Sequence, residues 1–341
     1  MGNSTQTGEP RVYVSGNSTT IGLFRLDPQT GSLTKAASAA AGQNPSYLAL
    51  APGGQYLYAV NEIAESRVLA FRVDPSTGGL TEINRANTGG DGATHLAVHP
   101  SGKWVAVAHY NSGHTVVLPV LDNGGVGDPI ASSRGPGDSC KNAHQALFDD
   151  SGAHLFVPCL GSNYVLQLKL VDGRLEYNDP PTVAVAGGPR HMALHPSQRT
   201  AYVLSELESI LTSFDYDPRT GRLSNPVSIP SVQQRQGASA HVAVHPGGKF
   251  LYVSNRAENS VGLFALDAKG RASPVDFVTE GISTPRDFVL APNGELLLAA
   301  NQAGAQDVLV FRIAPADGRL TRLSSTKVGG DPTFVGVASP R

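Results

Sequence analysis

One pattern recurs along almost the whole chain at intervals of 46 to 50 residues. Each copy contains a short apolar run, a turn rich in Gly and Pro, a second apolar run, a polar loop and a third apolar run. Clear copies cover residues 44–80, 92–126, 142–175, 188–223, 238–272 and 284–320. Their equivalent opening positions, with that of a final partial copy, are Tyr47, His95, His144, His191, His241, Asp287 and Phe334. Such a regular period is typical of folds built from small repeated β-sheets.

The seventh copy is divided between the two ends of the chain. Residues 331–340 match the opening of a repeat, and residues 11–33 match its remainder. A four-stranded sheet is too small to be stable alone, but seven sheets packed in a ring bury both faces of each one. We therefore predict an all-β fold, a seven-bladed β-propeller with four antiparallel strands per blade. The N- and C-terminal strands would share one blade and close the ring.

Composition narrows the expected location and partners. We predict a flexible N-terminal segment over residues 1–10 and a single propeller domain over residues 11–341. The formal net charge is −2, without long runs of one sign, so we expect no binding to nucleic acid or membranes. No apolar run is long enough to span a membrane and the first residues do not read as a signal peptide, which favours the cytoplasm.

Cys140 and Cys159 could pair but form no disulfide framework, and Cys159 is expected to be a small strand-end residue and a weak nucleophile candidate.

Ionisable residues fall at one end of every predicted hairpin. The turn of the first clear copy centres near Gly54, so Tyr47 and Asn61 are expected to lie opposite each other. With the first strand innermost, these positions ring one mouth of the channel. First strands, with the residue before each position, contribute Tyr47, His95, His144, Arg190, His191, His241, Arg286, Asp287 and Phe334. Second strands contribute Asn61, Glu62, His109, Tyr110, Cys159, Glu206, Asn255, Arg256, Asn301 and Gln302. Acidic and basic side chains gathered in the concave mouth of a channel are typical of a site that binds and transforms an anion.

The remaining histidines give no comparable signal. His99, His195 and His245 belong to turns on the opposite rim and are interpreted as structural or exposed, whereas His114 and His154 are expected to face solvent. A metal site is a competing interpretation of the channel histidines, but they come from different blades, and nearby arginines disfavour a cation. We predict no metal and no cofactor.

The chain resembles the lactonase family of seven-bladed propellers over residues 11–340. The most specific segments are NAHQALFDDSGAHLFVPCL (142–160), GGPRHMALHPSQRTAYVLSELES (187–209), HVAVHPGGKFLYVSNR (241–256) and STPRDFVLAPNGELLLAANQ (283–302). That family includes propeller-type bacterial 6-phosphogluconolactonases and fungal carboxy-cis,cis-muconate cyclase. The resemblance implies a catalytic set of His144, Arg190, Glu206 and Arg256. The segment around His144 reads N-A-H, where some bacterial members have C-H-S-A.

The resemblance implies hydrolysis of a small anionic sugar lactone, with 6-phosphogluconolactone as the leading candidate. Separately, we predict a monomer or weak homo-oligomer. His144 or Glu206 would act as the general base, and Arg190 or Arg256 would stabilise the oxyanion. Arg286 would bind the phosphate. The predicted substrate-binding set is completed by His191, His241, Glu62, Asn255 and His95.

Two alternatives remain open from the sequence. A cycloisomerase that closes a muconate-type acid to a lactone would use the same groups, with a substrate carboxylate as nucleophile. A non-catalytic propeller that binds a protein or peptide is the other alternative. The G-H…W-D signature of WD-repeat proteins is absent, and Trp104 is the only tryptophan.

Overall fold

The computed structural model describes residues 9–234 and 237–338, in which seven four-stranded antiparallel sheets surround a central channel. Each sheet is one blade, and its strands run in order from the innermost to the outermost. Blade 1 contains β28 (Pro332–Ala338), β1 (Arg11–Gly16), β2 (Thr20–Leu26) and β3 (Leu33–Ala40). Blade 2 contains β4 (Pro45–Leu50), β5 (Tyr56–Asn61), β6 (Arg67–Val73) and β7 (Leu80–Asn87). Blade 3 contains β8 (Ala93–Val98), β9 (Trp104–His109), β10 (His114–Pro119) and β11 (Ala131–Ser133).

The other four blades repeat this arrangement. Blade 4 contains β12 (Leu147–Phe148), β13 (His154–Cys159), β14 (Tyr164–Val171) and β15 (Arg174–Ala184). Blade 5 contains β16 (Pro189–Leu194), β17 (Thr200–Ser205), β18 (Ile210–Asp217) and β19 (Arg222–Pro230). Blade 6 contains β20 (Ser239–Val244), β21 (Phe250–Asn255), β22 (Ser260–Leu266) and β23 (Ala272–Val278). Blade 7 contains β24 (Pro285–Leu290), β25 (Leu296–Asn301), β26 (Asp307–Ile313) and β27 (Leu320–Lys327).

This architecture confirms the predicted fold, including its closure. β28 pairs with β1, so strands from both ends of the chain share blade 1. The only helical elements in the described ranges are the 3₁₀ turns Pro136–Asp138 and Leu160–Ser162. Neither has the length or the apolar character needed to cross a membrane. Most of the predicted flexible segment, residues 1–8, lies outside the described residues.

The core is divided among the interfaces between neighbouring blades. Seven buried apolar clusters lie in the described part of the chain, one at each interface. A recurrent buried tyrosine joins blades as well, because its hydroxyl donates to the carbonyl of a turn glycine in the next blade. The pairs are Tyr13 with Gly78, Tyr58 with Gly124, Tyr202 with Gly270 and Tyr252 with Gly318. Each blade that carries such a tyrosine is therefore fixed to its neighbour both by apolar packing and by a buried polar contact.

The histidines of the opposite rim are structural, as interpreted from the sequence. Nε2 of each lies within hydrogen-bond distance of a turn glycine carbonyl in the next blade: His99 with Gly152, His195 with Gly248 and His245 with Gly294. The expectation that His114 and His154 face solvent is wrong, since both are buried. The ring of His114 stacks on that of His109, and Nδ1 of His154 lies 3.0 Å from Oδ2 of Asp149.

A β-bulge recurs near the start of the innermost strands. In blade 2, Asn61 pairs with Pro45 and Val60 pairs with Tyr47, which leaves Ser46 without a partner. The expectation that Tyr47 and Asn61 lie opposite each other is therefore wrong, because the bulge adds one residue to β4 and shifts the register. The equivalent unpaired residues of other blades are Thr94, Arg190, Arg286 and Thr333.

Candidate active site

The bulges place a set of side chains in a pocket at one mouth of the channel. This mouth pocket is lined by Ser46, Tyr47, Glu62, Thr94, His144, Arg190, His191, Arg286, Asp287 and Thr333. Five of these residues occupy the bulge position of their strand. In a regular strand, neighbouring side chains point to opposite faces, but a bulge re-aims one of them. Successive residues such as Arg190 and His191 can therefore both reach the channel mouth.

Glu206 holds two arginines at this mouth. Its Oε2 lies 2.9 Å from Nε of Arg190, and its Oε1 lies 2.6 Å from Nη2 of Arg256. Arg190 also donates from Nη1 to the carbonyl of Ala240, 2.6 Å away, and is only 2% exposed. The guanidinium of Arg190 is therefore fixed on two sides, as a charge buried this deeply requires.

The pKa values of Glu206 and Arg190 depend on their neighbours, and these two groups and Arg256 all stay charged at neutral pH. Burial alone would raise the pKa of Glu206, but the guanidiniums of Arg190 and Arg256 outweigh it and lower the pKa. Burial lowers the pKa of Arg190 to about 9, against the opposing effect of Glu206. At neutral pH the group contains one carboxylate and two cations. It can bind negative charge without any proton transfer.

Arg286 adds a third cation to the mouth pocket. It is half-buried and lines the same pocket as Glu62. Burial lowers the pKa of Arg286, and the carboxylate of Glu62 is the largest influence in the other direction. Arg190, Arg256 and Arg286 face the carboxylates of Glu62 and Glu206, which leaves an excess of one positive charge as long as Asp287, which also lines the pocket, is protonated. A site of this kind attracts a small anion.

His144 reaches the pocket from an irregular segment. β12 of blade 4 has only two residues, so the chain before it is not held by a regular strand ladder. A disulfide joins Cys140 to Cys159 at the end of β13, with a Cα–Cα distance of 5.3 Å. The pairing that the sequence allowed is therefore present, and the interpretation of Cys159 as a weak nucleophile candidate is wrong, because its sulfur is bonded to that of Cys140. Burial lowers the pKa of His144 well below its usual value, so its imidazole is neutral at neutral pH.

Loss of this disulfide is expected to reduce both stability and turnover. The double substitution Cys140→Ser and Cys159→Ser removes a cross-link between residues 19 apart in sequence. The chain-entropy model then predicts a loss of about 3 kcal/mol in the free energy of unfolding. We expect kcat to fall about threefold to tenfold, because the segment that holds His144 gains freedom. Denaturant unfolding and steady-state kinetics measure both effects.

Reductant provides a matched control for this prediction. Reduction of the wild-type protein should reproduce the loss, and the double variant should not respond to reductant. Identical unfolding midpoints for oxidised and reduced wild-type protein would contradict the prediction.

A layer of five rings and one carboxyl group separates the mouth pocket from the rest of the channel. We call it the partition, and it consists of Tyr47, His95, His191, His241, Asp287 and Phe334. The rings of Tyr47 and His95 are 3.9 Å apart, and those of His191 and His241 are 5.1 Å apart. Beyond the partition lies an open cavity of about 580 Å³, lined mainly by apolar residues of the innermost strands.

The predicted site residues divide into two groups. The structure brings His144, Arg190, Glu206, Arg256, His191, Arg286 and Glu62 together around the mouth. It does not bring Asn255, His95 or His241 into the mouth pocket. Asn255 is buried in blade 6, where its side chain binds Ser231, Ser239 and Ser260. His95 and His241 belong to the partition and line the cavity behind it.

Sequence reasoning missed three hydroxyl residues of the pocket, Ser46, Thr94 and Thr333. Their signal was present, since each directly precedes a repeat position, as Arg190 precedes His191. Among the described residues, no group of three or more His, Cys, Asp or Glu side chains could hold a metal ion. The absence of a metal and of a cofactor stays a prediction.

Comparison with known proteins identifies relatives along nearly the full chain. A family model described as "Lactonase, 7-bladed beta-propeller" matches residues 9–337. The chain is 30% identical over 328 residues to 6-phosphogluconolactonase of Bacillus subtilis (strain 168), which covers 92% of this chain and 93% of that protein. It is 30% identical over 335 residues to the 6-phosphogluconolactonase of Pectobacterium carotovorum, with coverages of 96% and 98%. The periplasmic gluconolactonase of Pseudomonas aeruginosa superposes with a TM-score of 0.89 at 26% identity, covering 97% of this chain and 99% of that one.

Proposed function

The chain belongs to the lactonase family of seven-bladed β-propellers, and from this premise we propose that it hydrolyses 6-phosphogluconolactone to 6-phosphogluconate. Lactone hydrolysis is the activity of its relatives by name. The observation that carries the proposal is the pair of arginines fixed on Glu206 beside a neutral His144. Such a pocket provides a proton acceptor and preorganised positive charge, which are the two requirements for opening an ester.

His144 is the better candidate for the general base. Both carboxylate oxygens of Glu206 are occupied by contacts with guanidiniums, which leaves them poorly placed to accept a proton from water. His144 is neutral, and its Nδ1 has no hydrogen-bond partner within the described residues. In this mechanism Glu206 orients Arg190 and Arg256, and His144 takes the proton.

The reaction then proceeds in two steps. Water adds to the carbonyl carbon of the lactone and gives one proton to His144, and Arg190 stabilises the negative charge that develops on the carbonyl oxygen. When the ring C–O bond breaks, its electron pair goes to the ring oxygen, which receives the proton back from His144. The product acid ionises in water. This sequence uses only side chains of the chain itself.

A direct assay tests the proposal. Freshly prepared 6-phosphogluconolactone is added to purified protein in the presence of a chelator, and acid release is compared with the spontaneous rate. We expect release well above that rate, and a rate equal to the spontaneous one would refute the proposal. Carboxymuconate is assayed in parallel, because lactone formation from it would favour the cycloisomerase alternative.

Arg286 is expected to determine the preference for a phosphorylated substrate. A guanidinium bound to a phosphate dianion contributes about 1.5–3 kcal/mol, so Arg286→Ala should raise KM for 6-phosphogluconolactone about tenfold to a hundredfold. KM for unphosphorylated gluconolactone should change by less than about threefold. Arg286→Lys, which keeps the charge, should show an intermediate effect. Equal changes in KM for both lactones would show that Arg286 does not bind the phosphate.

The cytoplasmic location and the monomeric or weakly oligomeric state stay predictions. The Cys140–Cys159 disulfide argues against the cytoplasmic location, because disulfides persist in oxidising compartments and are rare in the cytosol.

A further inference from the structure

The partition contains a chain of polar contacts that the proposed mechanism does not use. Nδ1 of His191 lies 2.9 Å from Nδ1 of His241. The same Nδ1 of His241 lies 3.3 Å from Oδ1 of Asp287. The other oxygen of Asp287, Oδ2, accepts the backbone N–H of Val335 at 3.1 Å. Only His191 and Asp287 of these three side chains line the mouth pocket, so His241 acts from behind it.

A contact between two imidazole Nδ1 atoms requires a single hydrogen between them. If His241 carries it, Nδ1 of His191 accepts, and His191 carries its own hydrogen on Nε2. If His191 carries it, the lone pair of His241 Nδ1 also faces Oδ1 of Asp287, which is favourable only when Asp287 is protonated. The protonation of Asp287 and the tautomer of His191 are therefore linked through His241.

We propose that Asp287 and His241 are positioning residues that set the tautomer of His191, so that with Asp287 ionised His191 donates a hydrogen bond from Nε2 to the carbonyl oxygen of the substrate. A neutral imidazole can stabilise a developing oxyanion in this way without transferring its proton. His191 directly follows Arg190, so both donors would reach the same oxygen from adjacent positions. This inference rests on the proposed function, because it assigns a role in that reaction.

The surroundings of Asp287 make its ionisation responsive near neutral pH. Burial raises the pKa of Asp287 to about 7, against the backbone N–H of Val335 on β28 and the guanidinium of Arg190 on β16. Three further titratable groups face it: Tyr47 on β4, His241 on β20 and Arg286 beside it on β24. Burial lowers the pKa values of both His191 and His241, so the two imidazoles stay neutral while Asp287 titrates. The donor form of His191 therefore becomes populated as the pH rises through about 7.

The substitution Asp287→Asn tests this inference with a defined direction. The Asn carbonyl must replace Oδ2 to accept from Val335, which turns the amide NH₂ toward Nδ1 of His241. Nδ1 of His241 then carries no hydrogen, and a contact between two lone pairs is avoided only when His191 has its hydrogen on Nδ1. We expect kcat above neutral pH to fall at least about tenfold with KM within about twofold, because an oxyanion donor is lost. The rise of kcat through neutral pH should disappear.

Stability and spectroscopy separate this role from a structural one. Above neutral pH, Asp287→Asn should unfold at the wild-type temperature or higher, because it removes a charge that burial disfavours. In ¹⁵N NMR, the Nδ1 and Nε2 shifts of His191, assigned with a His191→Gln variant, should exchange tautomer character across neutral pH in the wild type but not in Asp287→Asn. His241→Leu should also uncouple the two groups. Phe334→Leu, a partition substitution outside this chain of polar contacts, should keep the wild-type pH profile.

Two results would overturn the inference. One is a folded Asp287→Asn protein that retains wild-type kcat and the wild-type pH profile. The other is a wild-type His191 tautomer that does not change across neutral pH. The NMR measurement needs no substrate, so it decides the linkage even if the protein does not hydrolyse 6-phosphogluconolactone and the proposed function fails.

Discussion

Replacement of Arg190 by alanine is expected to lower kcat/KM for the lactone by about a hundredfold to a thousandfold, the usual cost of removing a fixed oxyanion donor. Arg190 is buried and fixed between Glu206 and the carbonyl of Ala240, so water cannot reproduce its charge or its geometry. Most of the loss should appear in kcat, because the charge on the carbonyl oxygen develops only in the transition state. Steady-state kinetics with the fresh lactone measure the effect.

Two further variants separate charge, geometry and folding in this experiment. Arg190→Lys keeps a cation but loses the planar fork of donors, and should recover only part of the activity. Arg271→Ala removes an arginine whose partner, Asp215, lies outside the mouth pocket, and should leave kcat/KM unchanged. A folded Arg190→Ala protein with wild-type kinetics would remove Arg190 from the mechanism.

His144→Ala should reduce kcat by about a hundredfold to ten-thousandfold, the range over which a positioned general base contributes. KM should change little, because the arginines that attract the anion remain. Added imidazole should restore part of the rate by occupying the vacated space, which a purely structural role for His144 would not allow. The measurement is kcat as a function of imidazole concentration at constant pH.

A histidine on the opposite rim serves as the control for this substitution. His195→Asn removes a ring that bonds to the carbonyl of Gly248 in the next blade, far from the mouth pocket. It should lower the melting temperature and leave kcat unchanged. Full activity in His144→Ala would return Glu206 to consideration as the base.

The ring was predictable because its signal is periodic. Every blade needs the same turns and apolar runs, and the spacing from Tyr47 to Phe334 repeats that requirement through the whole chain. The gathering of Arg190, Glu206 and Arg256 was predictable too, because an antiparallel hairpin returns the end of its second strand to the start of its first. Residues far apart in the sequence could thus be placed at the same mouth from hairpin pairing alone.

Features that depend on single contacts were not predictable. The repeat length does not reveal whether an inner strand contains a bulge. The sequence therefore did not show that Asn61 pairs with Pro45. The orientation of Asn255 is decided by Ser239 and Ser260 of its own blade and by the carbonyl of Ser231 in the segment before that blade, which the repeat pattern does not reveal. The sequence allowed Cys140 and Cys159 to pair but did not establish the bond, which forms beside the shortened innermost strand of blade 4.

The extra residue in each inner strand also has a consequence for how this scaffold can acquire new substrates. Ser46, Thr94 and Thr333 occupy the same position in their blades as Arg190 and Arg286, yet they carry only short side chains. The side chain at each of these positions can be changed while the neighbouring residue continues to fill the channel. Redesign of substrate selectivity can therefore begin at these three positions without replacing the residues that open the ester.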